Sequence, residues 1–198
     1  MKRIGVLALQ GDFDAHRGAL ERAGAQAVLV REAKQFSEID GLVIPGGEST
    51  TMLKLLHYDH LVEPLAEFAR RKPVFGTCAG AILLAKEVSN PSQESLALMD
   101  IEVERNAYGR QLDSRIAEID PEPEFARRTA PGKIEAVFIR APIIRTTGTG
   151  TKVLLRYNGD PVLVEQGHYM VATFHPELTT DSRVHSLFLE KVAPHGCA

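Results

Sequence analysis

The amino-acid sequence predicts an α/β fold, a mostly parallel central sheet flanked by helices with an added antiparallel portion. Three observations predict it. In the first half, short apolar runs alternate with segments of helical length, the pattern of strands covered on both faces by crossover helices. After Ala85 the runs alternate apolar with charged residues, as half-exposed strands do. Between the two regimes, Pro73-Val74-Phe75-Gly76-Thr77-Cys78-Ala79-Gly80-Ala81 passes from an apolar strand through a glycine-flanked bend into a helix starting at Ala79.

In chain order, Ile4-Gly5-Val6-Leu7-Ala8-Leu9 reads as a buried parallel strand, with Gln10-Gly11-Asp12 ending it and a helix running on to about Ala23. Val28-Leu29-Val30 is a second strand and Gly41-Leu42-Val43-Ile44-Pro45 a third. The third opens into the loop Pro45-Gly46-Gly47-Glu48-Ser49-Thr50-Thr51, after which a helix is expected near Met52 and another before Val74. Ile101 to Glu104 and Ile116 to Ile119 carry the alternating pattern, and Val137-Phe138-Ile139 adds a strand. Lys152 to Tyr157, Asn158-Gly159 and Val162 to Val164 form a hairpin, because Asn-Gly suits the turn whose twist matches the strands. Tyr169 to Phe174 returns to the core. A last helix from about Asp181 to Val192 places Val184, Leu187, Phe188 and Val192 on one face, with Asp181 as its expected cap. Asn90 to Ser95 and Thr146 to Thr151 read as loops.

The chain has 198 residues, 44% hydrophobic and 25% charged, which suits one globular domain spanning 1–198. A formal net charge of -3 gives no general attraction to nucleic acid or anionic membrane, and Arg70-Arg71-Lys72 and Arg127-Arg128 are short enough to be solvated surface. No apolar run reaches the roughly 18 residues of a membrane span, so a cytoplasmic protein is expected. Cys78 and Cys197 make a poor disulfide pair, and no metal-ligand spacing is present.

Chemistry concentrates at the bend. Gly-Thr-Cys-Ala-Gly is a nucleophile elbow with cysteine at its apex, where small flanking residues let the chain fold sharply and expose the thiol. A helix N-terminus there favours thiolate, and the Ala79 N–H can face an oxyanion. A buried structural cysteine is the competing reading, and a base elsewhere in the chain weighs against it. His175-Pro176-Glu177 supplies one: in an extended segment stiffened by proline, residues two apart point the same way, so the carboxylate can orient the imidazole. The other six histidines show no such arrangement and read as surface or packing residues.

Taken together, the cysteine elbow, the Gly46-Gly47 loop and the terminal His-Pro-Glu resemble the class I, triad-type glutamine amidotransferases, of flavodoxin-like architecture. Leu9-Gln10-Gly11, Pro45 to Met52, Phe75 to Gly80, Val103-Glu104-Arg105-Asn106-Ala107-Tyr108-Gly109-Arg110-Gln111, Phe138 to Pro142 and Phe174 to Thr179 further resemble the glutaminase subunits of pyridoxal 5'-phosphate synthases. The resemblance implies hydrolysis of L-glutamine by Cys78, His175 and Glu177, with Gly47, Glu48, Ser49, Arg105, Ile139 and Arg140 binding the substrate. It implies no cofactor, and a partner: a separate synthase subunit, assembled as a large ring, that consumes the ammonia in vitamin B6 synthesis. Gln10 becomes a candidate sensor of that partner. Readings that stay open are a glutaminase for another biosynthetic synthase, a noncatalytic scaffold of the same fold, and a cysteine peptidase on a related sheet.

Overall fold

The computed structural model describes residues 1–107 and 114–192. In chain order its strands and helices are β1 (Arg3–Leu7), α1 (Phe13–Arg22), β2 (Gln26–Val30), β3 (Gly41–Ile44), α2 (Ser49–Tyr58), α3 (Val62–Ala69), β4 (Val74–Thr77) and α4 (Ala79–Leu84). There follow β5 (Ala85–Ser89), β6 (Met99–Glu104), β7 (Arg115–Ile119), α5 (Pro123–Arg128), β8 (Ile134–Phe138), β9 (Ile143–Thr147), β10 (Lys152–Tyr157), β11 (Asp160–Gln166), β12 (Tyr169–Ala172) and α6 (Arg183–Glu190).

Seven strands form the main sheet in the order β10-β11-β12-β4-β3-β1-β2. From β12 to β2 every pairing is parallel, whereas β10, β11 and β12 pair antiparallel. Strands β5, β6 and β9 make a second sheet and β7 with β8 an antiparallel ribbon, so the antiparallel portion lies where the alternating residues place it. Asn158 and Gly159 both take positive φ, 52° and 90°, in the turn that closes β10 onto β11.

Alternate residues of the parallel strands feed two cores. Leu42, Ile44, Val74 and Val171 pack with Met52, Leu56, Leu65 and Phe68 of α2 and α3 on one face. On the other, Val43, Phe75, Met170 and Ala172 pack with Leu20, Phe125, Leu187 and Phe188 of α1, α5 and α6. Phe75 and Phe188, both fully buried with ring centroids 5.6 Å apart, tie the elbow strand to the last helix. Each contributes about 1.5–3 kcal/mol by burial. Among the described residues no helix is long and apolar enough to cross a membrane.

Several expectations need correcting. Helix α2 starts at Ser49 rather than near Met52, because Glu48 caps it. Helix α6 starts at Arg183, and Asp181 is not its cap: the Asp181 carboxylate accepts from Arg183 N and pairs with the Arg183 guanidinium instead. Thr146 and Thr147 belong to β9 rather than a loop, since they pair with Glu102 and Ile101. The 3-10 segment Ala33–Glu38 and helix α5 are too short to leave a periodic signature. Tyr108 to Gln111 and Cys197 lie outside the described residues.

Candidate active site

The carboxyl ends of β1, β3, β4 and β12 open on one crevice, where parallel strands deliver their loops. Cys78 stands between β4 and α4 at φ 48° and ψ −102°, a conformation uncommon and strained for a residue with a Cβ. Its N–H donates to Ala172 O at 2.8 Å, anchoring the bend to β12. The flanking glycines are required by proximity. A Cβ on Gly80 would lie 2.3 Å from Ile44 O, and one on Gly76 2.5 Å from the Gly80 carbonyl carbon. Cys78 is a free thiol with 7% of its surface exposed, which suits a nucleophile reached through a cleft.

His175 comes to the same place from the end of β12. Its N–H donates to Val137 O at 2.8 Å, and its Nδ1 is 2.7 Å from Glu177 Oε1. The pairing is as expected but the backbone is not extended: Pro176–Leu178 is a 3-10 turn, closed by Leu178 N donating to His175 O. Proline sets the φ of its first residue. Burial alone would lower the pKa of His175; hydrogen bonding to Cys78 and to Glu177, with the charges of both, outweighs it and raises the imidazole to about 10. The charged imidazole is thus the favoured form, held between a sulfur and a carboxylate.

The loop after β3 closes the other side. A Cβ on Gly46 would sit 2.5 Å from His175 Cε1 and 3.3 Å from Cys78 Cβ, so both side chains press against that bare backbone. Gly47 has φ 137° and packs against the Gln10 side chain, whose Nε2 donates to Glu48 O at 2.7 Å. The Glu48 carboxylate accepts from Thr50 N, Thr51 N and Thr51 Oγ1, and lies 3.6 Å from the Arg105 guanidinium. Partial burial works against the charged form, but those hydrogen bonds prevail and lower the Glu48 pKa to about 2. Arg105 also donates to Thr50 Oγ1 at 2.9 Å.

A cavity of about 260 Å³ lies above Cys78, and Gly47, Glu48, Ser49, Arg105, Ile139, Arg140 and His175 all line it. Every residue expected to bind substrate thus shares one space with Cys78 and His175. Arg140 reaches the cavity with φ 44°, again uncommon for a residue with a Cβ.

Sequence reasoning missed several neighbours. Gln93, in a stretch read only as a loop, accepts at Oε1 from Ser49 Oγ at 2.9 Å and Thr50 Oγ1 at 3.3 Å. His16 and His185, read as surface or packing residues, are both fully buried, His16 3.3 Å from Glu177 Oε2 and His185 against His16. The available signal was helical spacing: His16 shares its face of α1 with Ala19 and Leu20, and His185 lies next to Val184 on the buried side of α6.

The model of the SNO glutamine amidotransferase family matches residues 6–194. The pyridoxal 5'-phosphate synthase subunit PdxT of Solibacter usitatus is 69% identical over 192 residues, covering 97% of this chain and 100% of that protein. The same subunit of Koribacter versatilis is 56% identical over 191 residues, covering 96% and 95%. A crystal structure of a glutamine amidotransferase superposes with a TM-score of 0.85 at 43% identity, covering 95% of this chain and 97% of that one.

Proposed function

The chain belongs to the SNO glutamine amidotransferase family, and on that premise we propose that it is the glutaminase subunit of a pyridoxal 5'-phosphate synthase, hydrolysing L-glutamine to L-glutamate and ammonia. The observation that carries the reading is the meeting of Cys78 and His175 in a cavity lined by all six expected substrate contacts, with Glu177 buried behind the imidazole on its Nδ1. Cys78 Sγ attacks the side-chain amide carbon. Backbone N–H groups of Ala79 and of the Gly46-Gly47 loop receive the oxyanion, a role that fixed donors perform best in a site that excludes water. His175 protonates the departing ammonia, then takes a proton from the water that cleaves the thioester, while Glu177 holds the ring. Arg105 and Arg140 bring two cations to the cavity for the substrate carboxylate. Gly47, Glu48, Ser49 and Ile139 shape the rest of it.

The ammonia passes to a separate synthase subunit in the cytoplasm. Gln10 grips the Gly47-Glu48 backbone from the end of β1, so a partner docking there can change the orientation of the oxyanion loop through it. The test is pyridoxal phosphate formation by a synthase subunit supplied with glutamine or with ammonium salt, each with and without this chain. Glutamine-dependent synthesis should require the chain and vanish with Cys78→Ser, while ammonium-dependent synthesis needs neither. Glutamine turnover by Cys78→Ser, or none by the wild-type complex, would overturn the proposal.

A further inference from the structure

Behind the triad, His16 of α1 and His185 of α6 are both fully buried. His16 Nδ1 lies 3.2 Å from His185 Nε2, and His16 Nε2 lies 3.0 Å from Thr77 Oγ1 and 3.3 Å from Glu177 Oε2. That carboxylate oxygen makes no well-formed hydrogen bond, and neither does His185 Nδ1. A neutral imidazole has one N–H, so its tautomer decides what the cluster does. With the proton on Nδ1, His16 would turn a lone pair toward Glu177 and leave an anionic oxygen buried without a donor, the costlier arrangement. With the proton on Nε2, the N–H donates to the Thr77 hydroxyl and brings its positive end 3.3 Å from the carboxylate oxygen. Nδ1 is then free to accept from His185 Nε2–H. Glu177 Oε2, with the N–H dipole beside it, and His185 Nδ1, a neutral acceptor, make no hydrogen bond of their own.

We infer that His16 is a positioning residue for glutamine hydrolysis: its Nε2–H, bonded to Thr77 Oγ1, sets the positive end of its dipole 3.3 Å from the outer oxygen of Glu177, and His185 fixes the tautomer, so that the inner oxygen stays on His175 Nδ1. The inference rests on the triad reading above. The groups facing the pair are Glu177 and His175 after β12, Thr77 of β4, and Arg22 of α1, whose charge acts on His185. Burial first, then the charges of His185 and His175, keep the pKa of His16 well below its ordinary value. His16 therefore passes no proton; it acts by holding a carboxylate in line.

The experiment uses the full chain in complex with its synthase subunit and measures kcat and KM for glutamine against pH. His16→Leu removes the donor, and His16→Gln restores an amide N–H at similar reach. His16→Leu should lower kcat about 10-fold at unchanged KM, because the outer oxygen of Glu177 is then buried with no N–H dipole beside it. Its alkaline limb of kcat/KM should move down by about one pH unit, because a slack Glu177 supports the His175 proton less well. His16→Gln should recover most of both. Wild-type kcat in His16→Leu, or no recovery in His16→Gln, overturns the inference. Side-chain 15N NMR of the wild-type protein gives an answer that needs no variant: His16 should show a protonated Nε2 and a bare Nδ1, and the reverse overturns the inference even if both variants unfold. A wild-type complex that releases no glutamate from glutamine would instead remove the functional proposal.

Discussion

Gly46→Ala is the substitution that strikes most directly at the meeting of thiol and imidazole. The Gly46 φ lies outside the left-handed region, so alanine is allowed there on backbone grounds. Space is the obstacle. The new methyl carbon would lie 2.5 Å from His175 Cε1, 3.2 Å from Nδ1 and 3.3 Å from Cys78 Cβ. Carbon atoms rest about 3.5–4.0 Å apart, so ring or loop has to retreat by about 1–1.5 Å. A displacement of about 1 Å in a reacting group costs on the order of 100-fold in rate. Two further consequences follow, because His175 has Glu177 on its far side and the loop has Gln10 gripping it: whichever yields, either the triad or the oxyanion cradle is misaligned. We expect glutamine-dependent kcat to fall about 100-fold, with the melting temperature little changed. Ammonium-dependent synthesis by the partner should be untouched. The assay is initial-rate glutamate release by the complex, with thermal melting alongside. A Gly46→Ala protein that folds and keeps wild-type kcat would refute the placement of His175 and Cys78 against that loop.

Three other outcomes are expected. The wild-type kcat/KM should hold its plateau well above neutral pH and decline through about pH 10 as His175 loses its proton, and an alkaline limb near the ordinary histidine value of 6.5 would contradict it. Equilibrium unfolding should show stability falling as pH drops below about 6.5. His16 and His185 are held neutral in the fold, the latter by burial and then by Arg22 with its pKa lowered to about 3, so the unfolded chain binds more protons there. Each adds a slope approaching about 1.4 kcal/mol per pH unit. His175, raised in the fold, is protonated in both states below about 6.5; its contribution is lost only as pH rises toward 10. A flat urea-unfolding profile between pH 6.5 and mildly acidic values would refute the burial of two neutral histidines. Gly80→Ala places a Cβ 2.3 Å from Ile44 O, a backbone atom of β3 that cannot step aside. It should destabilise by about 1–3 kcal/mol, measured as a drop in denaturant midpoint, and an unchanged midpoint would count against the tight elbow.

Local chemistry made much of this legible without coordinates. Apolar run length located the buried strands, Gly-x-Cys-x-Gly the strand-to-helix bend, and Asn158-Gly159 the hairpin, because each depends on the backbone preferences of a few adjacent residues. Of the nine residues the resemblance names, eight line one cavity, and Glu177 lies behind it on His175 Nδ1. The sequence alone determined which residue types could do the chemistry and which segments could hold them. It could not determine that His175 and Glu177 meet through a 3-10 turn, that the Glu48 carboxylate is spent on the first turn of α2, or that Gln93 reaches back to Ser49 and Thr50. Nor could it join His16 to His185, 169 positions apart, behind a carboxylate. Such contacts arise only when the sheet order sets β1, β3, β4 and β12 side by side and stacks α1 against α6, and spacing along the chain carries no record of that distance.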